Sequence, residues 1–399
     1  MATSTRTIKA TCLCTAAAHE ITLPASAFPL QGIFCHCDSD RHGTGCMSLG
    51  IAVLPPEYEP PSAWLTKLQP TVFSQRLKHY FCPICGTMML VYLAHDHGEG
   101  GGGAHWDVCT GALEQLDGVV EFDCHEFLSD TRDGGFGDFL QNVNGKTISR
   151  WAGEPGGEQL PQYWRSAPLS TTTAKKPISS SASEEESLHA HCRCRGVEFW
   201  ISRPNSQSSK GITSPWPDVL HPYHSPSPPD DDESPTWWLR ANNTKYLAGT
   251  CACDSCRLAT GQEHITWAFV PTPNISLDAA GSVPFARSFG TLKSYRSSKG
   301  VTRHFCGSCG ATVFWDGDER PLLVDVAVGV LDAREGARAE GWLEWWTGRL
   351  SFREDAVGRA GGLTEGVEEG MRVWEAFGRE GWCMRCVWVR VMRPRDGSA

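Results

Sequence analysis

The sequence predicts a mainly β protein with minor α-helix, built from two tandem zinc-binding β domains. Three observations lead to this prediction. Cysteine motifs recur in the same order in both halves of the chain. Short stretches rich in β-branched and aromatic residues, bounded by Gly and Pro, are typical of strands. A polar segment between the halves has the composition of a linker.

The repeat consists of three cysteine blocks in the same order. The matched blocks are Cys12-x-Cys14 with Cys192-x-Cys194, the segment from Cys35 to Gly45 with the segment from Cys251 to Gly261, and Phe81-Cys82-x-x-Cys85-Gly86 with Phe305-Cys306-x-x-Cys309-Gly310. From Cys37 and Cys253 onward, six of nine positions are identical. Agreement in three ordered blocks indicates an internal duplication.

The duplication divides the chain into two domains. We expect a first zinc-binding domain at 1–166, a flexible linker at 167–188 and a second zinc-binding domain at 189–399. The second domain carries an insertion at about 203–235, whose Ser, Pro and Asp content predicts a disordered loop. A C-terminal extension follows, and its Cys383-x-x-Cys386 pair has no visible partner.

Local patterns predict mostly short strands. We expect strands within 19–23, 87–93, 196–201, 267–271 and 311–315, because these stretches are rich in β-branched and aromatic residues. Hydrophobic periodicity is weaker, and it predicts short helices at 136–143 and 342–346 and a longer one at 363–377.

Composition and charge exclude several classes of protein. The chain has 36 basic and 46 acidic residues, a net charge of -10, which argues against a general nucleic-acid or anionic-membrane binder. No secretory signal and no run of about 18 apolar residues is visible, so we expect a cytoplasmic or nuclear protein outside the membrane. The 18 cysteines then favour metal binding over disulfides.

Two structural zinc sites are predicted by pairing the outer blocks. Cys-x-x-Cys-Gly is a metal knuckle, in which glycine tolerates the left-handed conformation of the turn. Cys-x-Cys can supply two more thiolates, because alternate residues of a strand face the same side. We therefore expect one four-cysteine zinc in each domain, with the ligands Cys12, Cys14, Cys82 and Cys85, and Cys192, Cys194, Cys306 and Cys309.

The central block predicts a different kind of site. Cys251, Cys253 and Cys256 form a Cys-x-Cys-x-x-Cys triple that could hold one zinc and leave its fourth position open. Three thiolates weaken zinc as an activator of water, but they leave room for a soft thiol or thioether ligand. The alternative is a closed structural site with a fourth ligand such as His264.

The three motifs in this order resemble the glutathione-dependent formaldehyde-activating enzyme family, which includes centromere protein V. The resemblance covers roughly residues 8–165 and 189–375. It implies a β-tent fold, a structural four-cysteine zinc and a labile catalytic zinc on the central triple. It also implies glutathione or its S-hydroxymethyl adduct as the small-molecule partner, and a carbon–sulfur lyase class.

The first copy departs from this pattern. Asp40 stands where Cys256 stands in the second copy, so Cys35, Cys37 and Asp40 form a Cys, Cys, Asp set. A carboxylate can bind zinc, but as a harder ligand it is expected to hold the ion less tightly. His36, His42 or Cys46 could substitute as the third ligand, and the site could also be lost. One or two labile zincs are therefore expected.

Residues beside the central loops could support the site. Arg257, like Arg41, could offset the thiolate charge, hold a carboxylate of glutathione, or make hydrogen bonds that order the loop. His125 lies in a part of the first copy that also resembles the family, where it could be a ligand, a proton donor or a packed surface side chain. We expect a zinc-dependent enzyme acting on a thiol adduct. The alternative is a non-catalytic zinc scaffold for a protein partner.

Overall fold

A computed structural model describes residues 4–94, 104–166, 187–223, 225 and 235–380, with side chains up to residue 377. Strands account for 35% of the chain and helices for 19%, which confirms the mainly β prediction. Most of the expected linker, the Gly98–Gly103 loop and the Cys383-x-x-Cys386 pair lie outside the described residues.

The first copy is made of short strands and two short helices. In chain order they are β1 (Thr5–Ala10), β2 (His19–Pro24), β3 (Leu30–Cys35), α1 (Asp38–Thr44), β4 (Leu49–Val53), α2 (Ser62–Leu65), β5 (Gln69–Val72), β6 (Leu77–Phe81), β7 (Met88–Leu93), β8 (His105–Cys109), β9 (Val120–Glu126), β10 (Asn142–Val143), β11 (Lys146–Thr147) and β12 (Ser149–Arg150).

The second copy repeats this plan and ends in a long helix. Its elements are β13 (Ser187–His191), β14 (Glu198–Ser202), β15 (Leu239–Arg240), β16 (Lys245–Cys251), α3 (Asp254–Thr260), β17 (Ile265–Pro271), β18 (Ile275–Ser276), β19 (Leu292–Ser298), β20 (Val301–Cys306), β21 (Thr312–Gly317), β22 (Leu323–Ala327), β23 (Leu343–Trp345) and α4 (Arg353–Glu380).

Sheet topology is the same in the two copies. The main sheet of the first copy has the order β12-β9-β3-β4-β8-β7-β6-β5. In the second copy the order β16-β17-β22-β21-β20-β19 matches it strand for strand, and β23 pairs with β16 as β9 pairs with β3, both in parallel. A duplicated sequence has thus kept a duplicated topology.

Two of the three expected helices are absent at their expected places. The stretch 136–143 contains a 3₁₀ turn at Gly135–Asp138 and then β10, and the stretch 342–346 contains β23. Both predictions were wrong because a few buried aromatic residues imitate helical spacing in short segments. The expected helix at 363–377 is confirmed as part of α4.

The C-terminal helix packs against the first copy. The Trp374 ring meets Phe139 edge-on at 5.1 Å, and the Phe377 ring stacks on Tyr163 at 4.2 Å. Where the helix crosses the 3₁₀ turn, a Cβ on Gly370 would stand only 2.1 Å from the carbonyl oxygen of Phe139, so this close approach requires glycine. The C-terminal helix, which belongs to the second copy, therefore ties the two copies together.

The insertion differs from the expected disordered loop over the part that the structure describes. Ile212 and Val219 are buried, in one cluster with Trp237 and Trp238. Asp218 accepts hydrogen bonds from Arg349 and from the backbone nitrogen of Phe352. These apolar side chains and the buried carboxylate anchor a segment whose overall composition is polar.

Among the described residues, no helix is both long and apolar enough to cross a membrane.

Candidate metal centres

The outer cysteine blocks meet in each copy as the spacing predicted. The four sulfurs of Cys12, Cys14, Cys82 and Cys85 lie within 4.8 Å of one another, and so do those of Cys192, Cys194, Cys306 and Cys309. Cys14 Sγ lies 3.6 Å from Cys82 Sγ, and Cys194 Sγ lies 3.4 Å from Cys306 Sγ. Two thiolates on a tetrahedral zinc, with bonds of ~2.3 Å, stand about 3.8 Å apart, so both clusters suit this ion.

Each central loop turns directly into a short helix whose ends explain the identical residues. The sulfurs of Cys37 and Cys253 accept hydrogen bonds from the backbone nitrogens of Asp40 and Cys256, as N-caps of α1 and α3. Both helices stop at a glycine in the left-handed conformation, Gly45 and Gly261 with φ of 79° and 75°. One cysteine in each loop therefore serves both as helix cap and as candidate metal ligand.

In the second copy, three thiols converge on one point. The sulfurs of Cys251, Cys253 and Cys256 lie within 4.8 Å of one another. Hydrogen bonds from Cys251 and Cys253, together with the buried guanidinium of Arg303, hold the pKa of the Cys256 thiol well below its usual range. Arg303 Nη1 lies 3.5 Å from Cys256 Sγ, and Nη2 donates to Ser255 Oγ at 2.9 Å.

In the first copy, two thiols and a carboxylate converge in the same way. Cys35, Cys37 and Asp40 offer ligand atoms within 4.8 Å of one another. Burial opposes ionisation of Asp40, but His79, whose Nε2 lies 3.2 Å from Oδ1, outweighs it and lowers the pKa of Asp40. The nitrogens of His79 and Oδ1 of Asp40 are buried without a hydrogen bond of good geometry, an arrangement that a bound cation would relieve.

The other proposed third ligands of the first copy are engaged elsewhere. His36 Nε2 pairs with His125 Nδ1 at 2.9 Å, and His125 Nε2 lies 2.7 Å from the carbonyl oxygen of Leu140. Burial lowers the pKa of His125 to about 3, so this ring is a neutral core residue. The ring of His42 stacks on His191, and Cys46 packs in the apolar cluster around Cys256 of the second copy.

His264 also stays apart from the triple. Its ring stacks against Phe136 at 5.9 Å, and burial lowers its pKa to about 3. The group of close ligand atoms around the triple contains the three cysteines without His264. Among the described residues, the triple thus gains no fourth Cys, His, Asp or Glu ligand atom within this distance.

Arg257 occupies a different place from the expected glutathione contact. It is buried, and its Nη1 donates to the carbonyl oxygens of Gly111 and Leu113 in the first copy. Arg41 makes the matching bonds to Gly329 and Leu331 of the second copy. The two arginines thus join the copies across a pseudo-twofold interface, and each also donates to an aspartate of its own loop, Asp254 or Asp38.

A cavity of about 750 Å³ opens over the triple of the second copy. Its aromatic lining includes Trp216 and Tyr223, which come from the insertion. The charged side chains on its wall are four cations and four carboxylates: Arg296, Lys299, Arg303 and Arg320, and Asp218, Asp318, Glu319 and Asp325. This combination suits a ligand that carries both charged groups and an apolar group.

One functional candidate in this cavity escaped the sequence analysis. Asp325 lies in the middle of the fully buried strand β22 and lines the cavity. Burial raises its pKa to about 6, although Arg320, 2.8 Å away, opposes the shift. A single charged residue inside an otherwise apolar run was the available signal. The raised pKa and the place in the cavity wall make Asp325 a candidate for proton exchange with a bound ligand.

The family model for the glutathione-dependent formaldehyde-activating enzyme matches residues 7–121 and again residues 239–349. These segments cover more than half of the chain, and one lies within each copy. No curated protein and no solved structure matches the chain significantly, so the β-tent type stays a prediction. The match supports a glutathione-related, zinc-binding function. The chain therefore belongs to the glutathione-dependent formaldehyde-activating enzyme family, as a member with two tandem copies of the domain.

Proposed function

We propose that the second copy is a zinc-dependent enzyme that makes or breaks the carbon–sulfur bond of a glutathione or related thiol adduct. The observation that carries this proposal is the cysteine triple in the wall of a cavity lined by aromatic and charged side chains. Cys251, Cys253 and Cys256 would hold the zinc, which supplies a Lewis-acidic position for the sulfur of the substrate.

The remaining steps belong to the side chains around the triple. Arg303 and Arg320 supply positive charge near the substrate, whose carboxylates and thiolate are negative. Asp325, when ionised, takes the proton of the substrate thiol. The sulfur then bonds to the carbonyl carbon of an aldehyde, and the π electron pair of the carbonyl group moves to its oxygen. Asp325 returns the proton to that oxygen. The reverse sequence breaks the adduct.

The cavity also bears on the substrate class. A hydroxymethyl group offers little apolar surface to the aromatic side chains that line the cavity. Because Trp216, Trp267 and Phe352 line the same space, we infer that a thiol adduct with a larger apolar substituent on carbon fits better than the formaldehyde adduct.

The test compares Cys256→Ser with Asp40→Ser in the full chain. Exchange spectroscopy with ¹³C-formaldehyde and glutathione measures the formation of the adduct above the spontaneous rate. We expect Cys256→Ser to lower the enzymatic rate at least about 100-fold, and Asp40→Ser to change it less than about twofold.

Zinc per chain, counted by native mass spectrometry, accompanies each rate. Cys256→Ser should lose one ion and keep the four-cysteine zincs. If the unmutated chain retains its zinc but accelerates no exchange with glutathione, cysteine or larger aldehydes, the enzyme proposal fails and the scaffold function is favoured.

A further inference from the structure

A second kind of metal-ligand cluster lies at the surface, outside the cysteine sites. His189, His191 and Asp332 offer ligand atoms within 4.8 Å of one another. The two histidines alternate on β13 with the buried Leu188 and Ala190, so they share the opposite face of the strand. Asp332 reaches the same face, because its backbone nitrogen donates to the carbonyl oxygen of His189 at 2.9 Å.

Hydrogen bonds leave one free nitrogen on each ring. His189 Nε2 lies 2.7 Å from Glu198 Oε1, and His191 Nδ1 lies 3.0 Å from the carbonyl oxygen of Cys192. Both partners are acceptors, so both of these nitrogens carry the hydrogen. In the neutral rings, Nδ1 of His189 and Nε2 of His191 then present lone pairs. A backbone carbonyl or carboxylate on the far nitrogen is the usual partner of a metal-binding histidine.

The two lone pairs face one carboxylate oxygen. Oδ2 of Asp332 lies 4.0 Å from His189 Nδ1 and 3.9 Å from His191 Nε2. These separations are too long for hydrogen bonds. Ligand atoms on a tetrahedral ion with bonds of ~2.05 Å stand about 3.4 Å apart. The half-exposed side chain of Asp332 can close the difference of about 0.6 Å by a small rotation.

The rings are held in place before any ion binds. His191 stacks on His42 with ring centroids 4.2 Å apart and planes 2° apart. His42 Nδ1 also lies 2.8 Å from the carbonyl oxygen of His191. On the other side, the His189 ring stacks on Trp200 at 5.0 Å. Ligands fixed in this way lose little freedom on binding.

In the first copy, a lysine side chain occupies the matching place. Lys9 and Glu114 align with His189 and Asp332 through the neighbouring motifs, and Glu114 N donates to the carbonyl oxygen of Lys9 at 3.0 Å, as Asp332 N does to His189. Lys9 Nζ lies 2.6 Å from Glu114 Oε1. The same junction is therefore closed in the first copy by an ammonium ion of the chain itself.

We propose that His189, His191 and Asp332 bind a divalent first-row cation, Zn²⁺ under cellular conditions, that exchanges with solution. Two imidazoles and a carboxylate favour zinc, nickel and copper over magnesium. The exposed position leaves water on the remaining coordination sites. The bound ion would fasten β13 to the segment that follows β22, as the ion pair does in the first copy.

The test uses the full chain with its cysteine-bound zinc retained. Native mass spectrometry and calorimetry follow added Zn²⁺, with Mg²⁺ as the comparison ion. We expect the unmutated chain to bind one more Zn²⁺ than the double variant His189→Gln, His191→Gln. Asp332→Asn should weaken this binding at least about tenfold, and the control Glu114→Gln, at the matching place, should leave it unchanged.

Two results would overturn the proposal. One is equal binding of the additional ion by Asp332→Asn and the unmutated chain, and the other is no additional ion on the unmutated chain at ~1 mM Zn²⁺. The Asp332 side chain is half exposed, so its variant should fold, which circular dichroism checks.

Discussion

The two central loops share a backbone but differ in ligand chemistry. Both have a cysteine cap, a left-handed glycine at the end and an arginine that crosses to the other copy. The third ligand is Cys256 in one and Asp40 in the other. Its partner changes with it, since Arg303 contacts the thiolate and His79, at the same place in the sheet, contacts the carboxylate. Folding requirements were therefore kept, while the metal chemistry diverged.

The surroundings of the loops diverged in the same direction. Glu126 pairs in register with Cys35, whereas the neighbour of Cys251 at the matching place is Ser351. Burial raises the pKa of Glu126 to about 7, and Asp40 adds to the shift. The first candidate site thus combines two thiols with the carboxylate of Asp40, and the carboxyl group of Glu126 lies on the neighbouring strand. The second has soft sulfur ligands and an aromatic cavity, which favour an organic thiol.

The largest effect on stability is expected from changes in the four-cysteine clusters, which both copies have. Cys82→Ser and Cys306→Ser each remove one ligand of a closed four-cysteine site, and the free energy of zinc binding in such sites, on the order of 10 kcal/mol, is folding free energy. Because the copies share one continuous core, either change should unfold the whole chain in one transition. Thermal melting by circular dichroism, with zinc per chain, measures this.

A matched control is available for these variants. Cys124→Ser changes a buried thiol outside every metal-ligand cluster of the described residues, and it should cost only about 1–2 kcal/mol. Separate melting of the two copies in Cys306→Ser would contradict the shared core.

The second-largest effect is expected from changing Asp325, a carboxylate that lines the cavity of the second copy. Asp325→Asn should lower kcat/KM about 100-fold, because the general base is lost. The pKa of Asp325 is raised, so the active ionised form appears as the pH rises through about 6. The kcat/KM of the unmutated chain should therefore increase from pH 5 to 7, and this increase should vanish in the variant.

Asp107 provides the control in the first copy. It takes the same place in β8 that Asp325 takes in β22. Asp107→Asn should leave kcat/KM within about twofold of the unmutated chain and preserve its pH profile. A loss equal to that of Asp325→Asn would mean that both copies, or the first alone, carry the reaction.

A smaller effect is expected from changing Arg303 and His79, the residues that contact Cys256 and Asp40. Arg303→Gln removes the cation beside Cys256, and residues that orient a ligand in this way affect metal affinity about 10–100-fold. His79→Gln should weaken metal binding at Asp40 alone. Competition with a chromophoric chelator measures both affinities, and a weakened second site in His79→Gln would show that the two sites are coupled.

The sequence predicted the repeat, the four-cysteine clusters and both central groups, because each depends on ligands a few residues apart or on matched motifs. It missed features that depend on contacts distant in the chain. For Arg257 it left a glutathione contact and loop-ordering hydrogen bonds open, and it gave no sign that the partners are carbonyl groups 144–146 residues away. Asp325 and His79 lie on strands remote from their loops. Short aromatic segments at 136–143 and 342–346 imitated helices for the same reason, since tertiary packing decided their conformation.

The smallest effect should come from the insertion, which only the second copy has. Trp216 lines the cavity but lies apart from the cysteines in sequence, so Trp216→Ala should leave the zinc and the chemical step intact. Loss of an aromatic wall costs about 1–2 kcal/mol for a ligand that fills the space, and this predicts a KM about 5–30-fold higher for adducts of large apolar aldehydes. If the substituent on carbon contacts this wall, the small hydroxymethyl group loses little by the change, so the KM of the formaldehyde adduct should change less than about twofold. Steady-state kinetics with both aldehydes separates these cases, and an equal change for the two would mean that the insertion shapes the site as a whole without selecting the substituent.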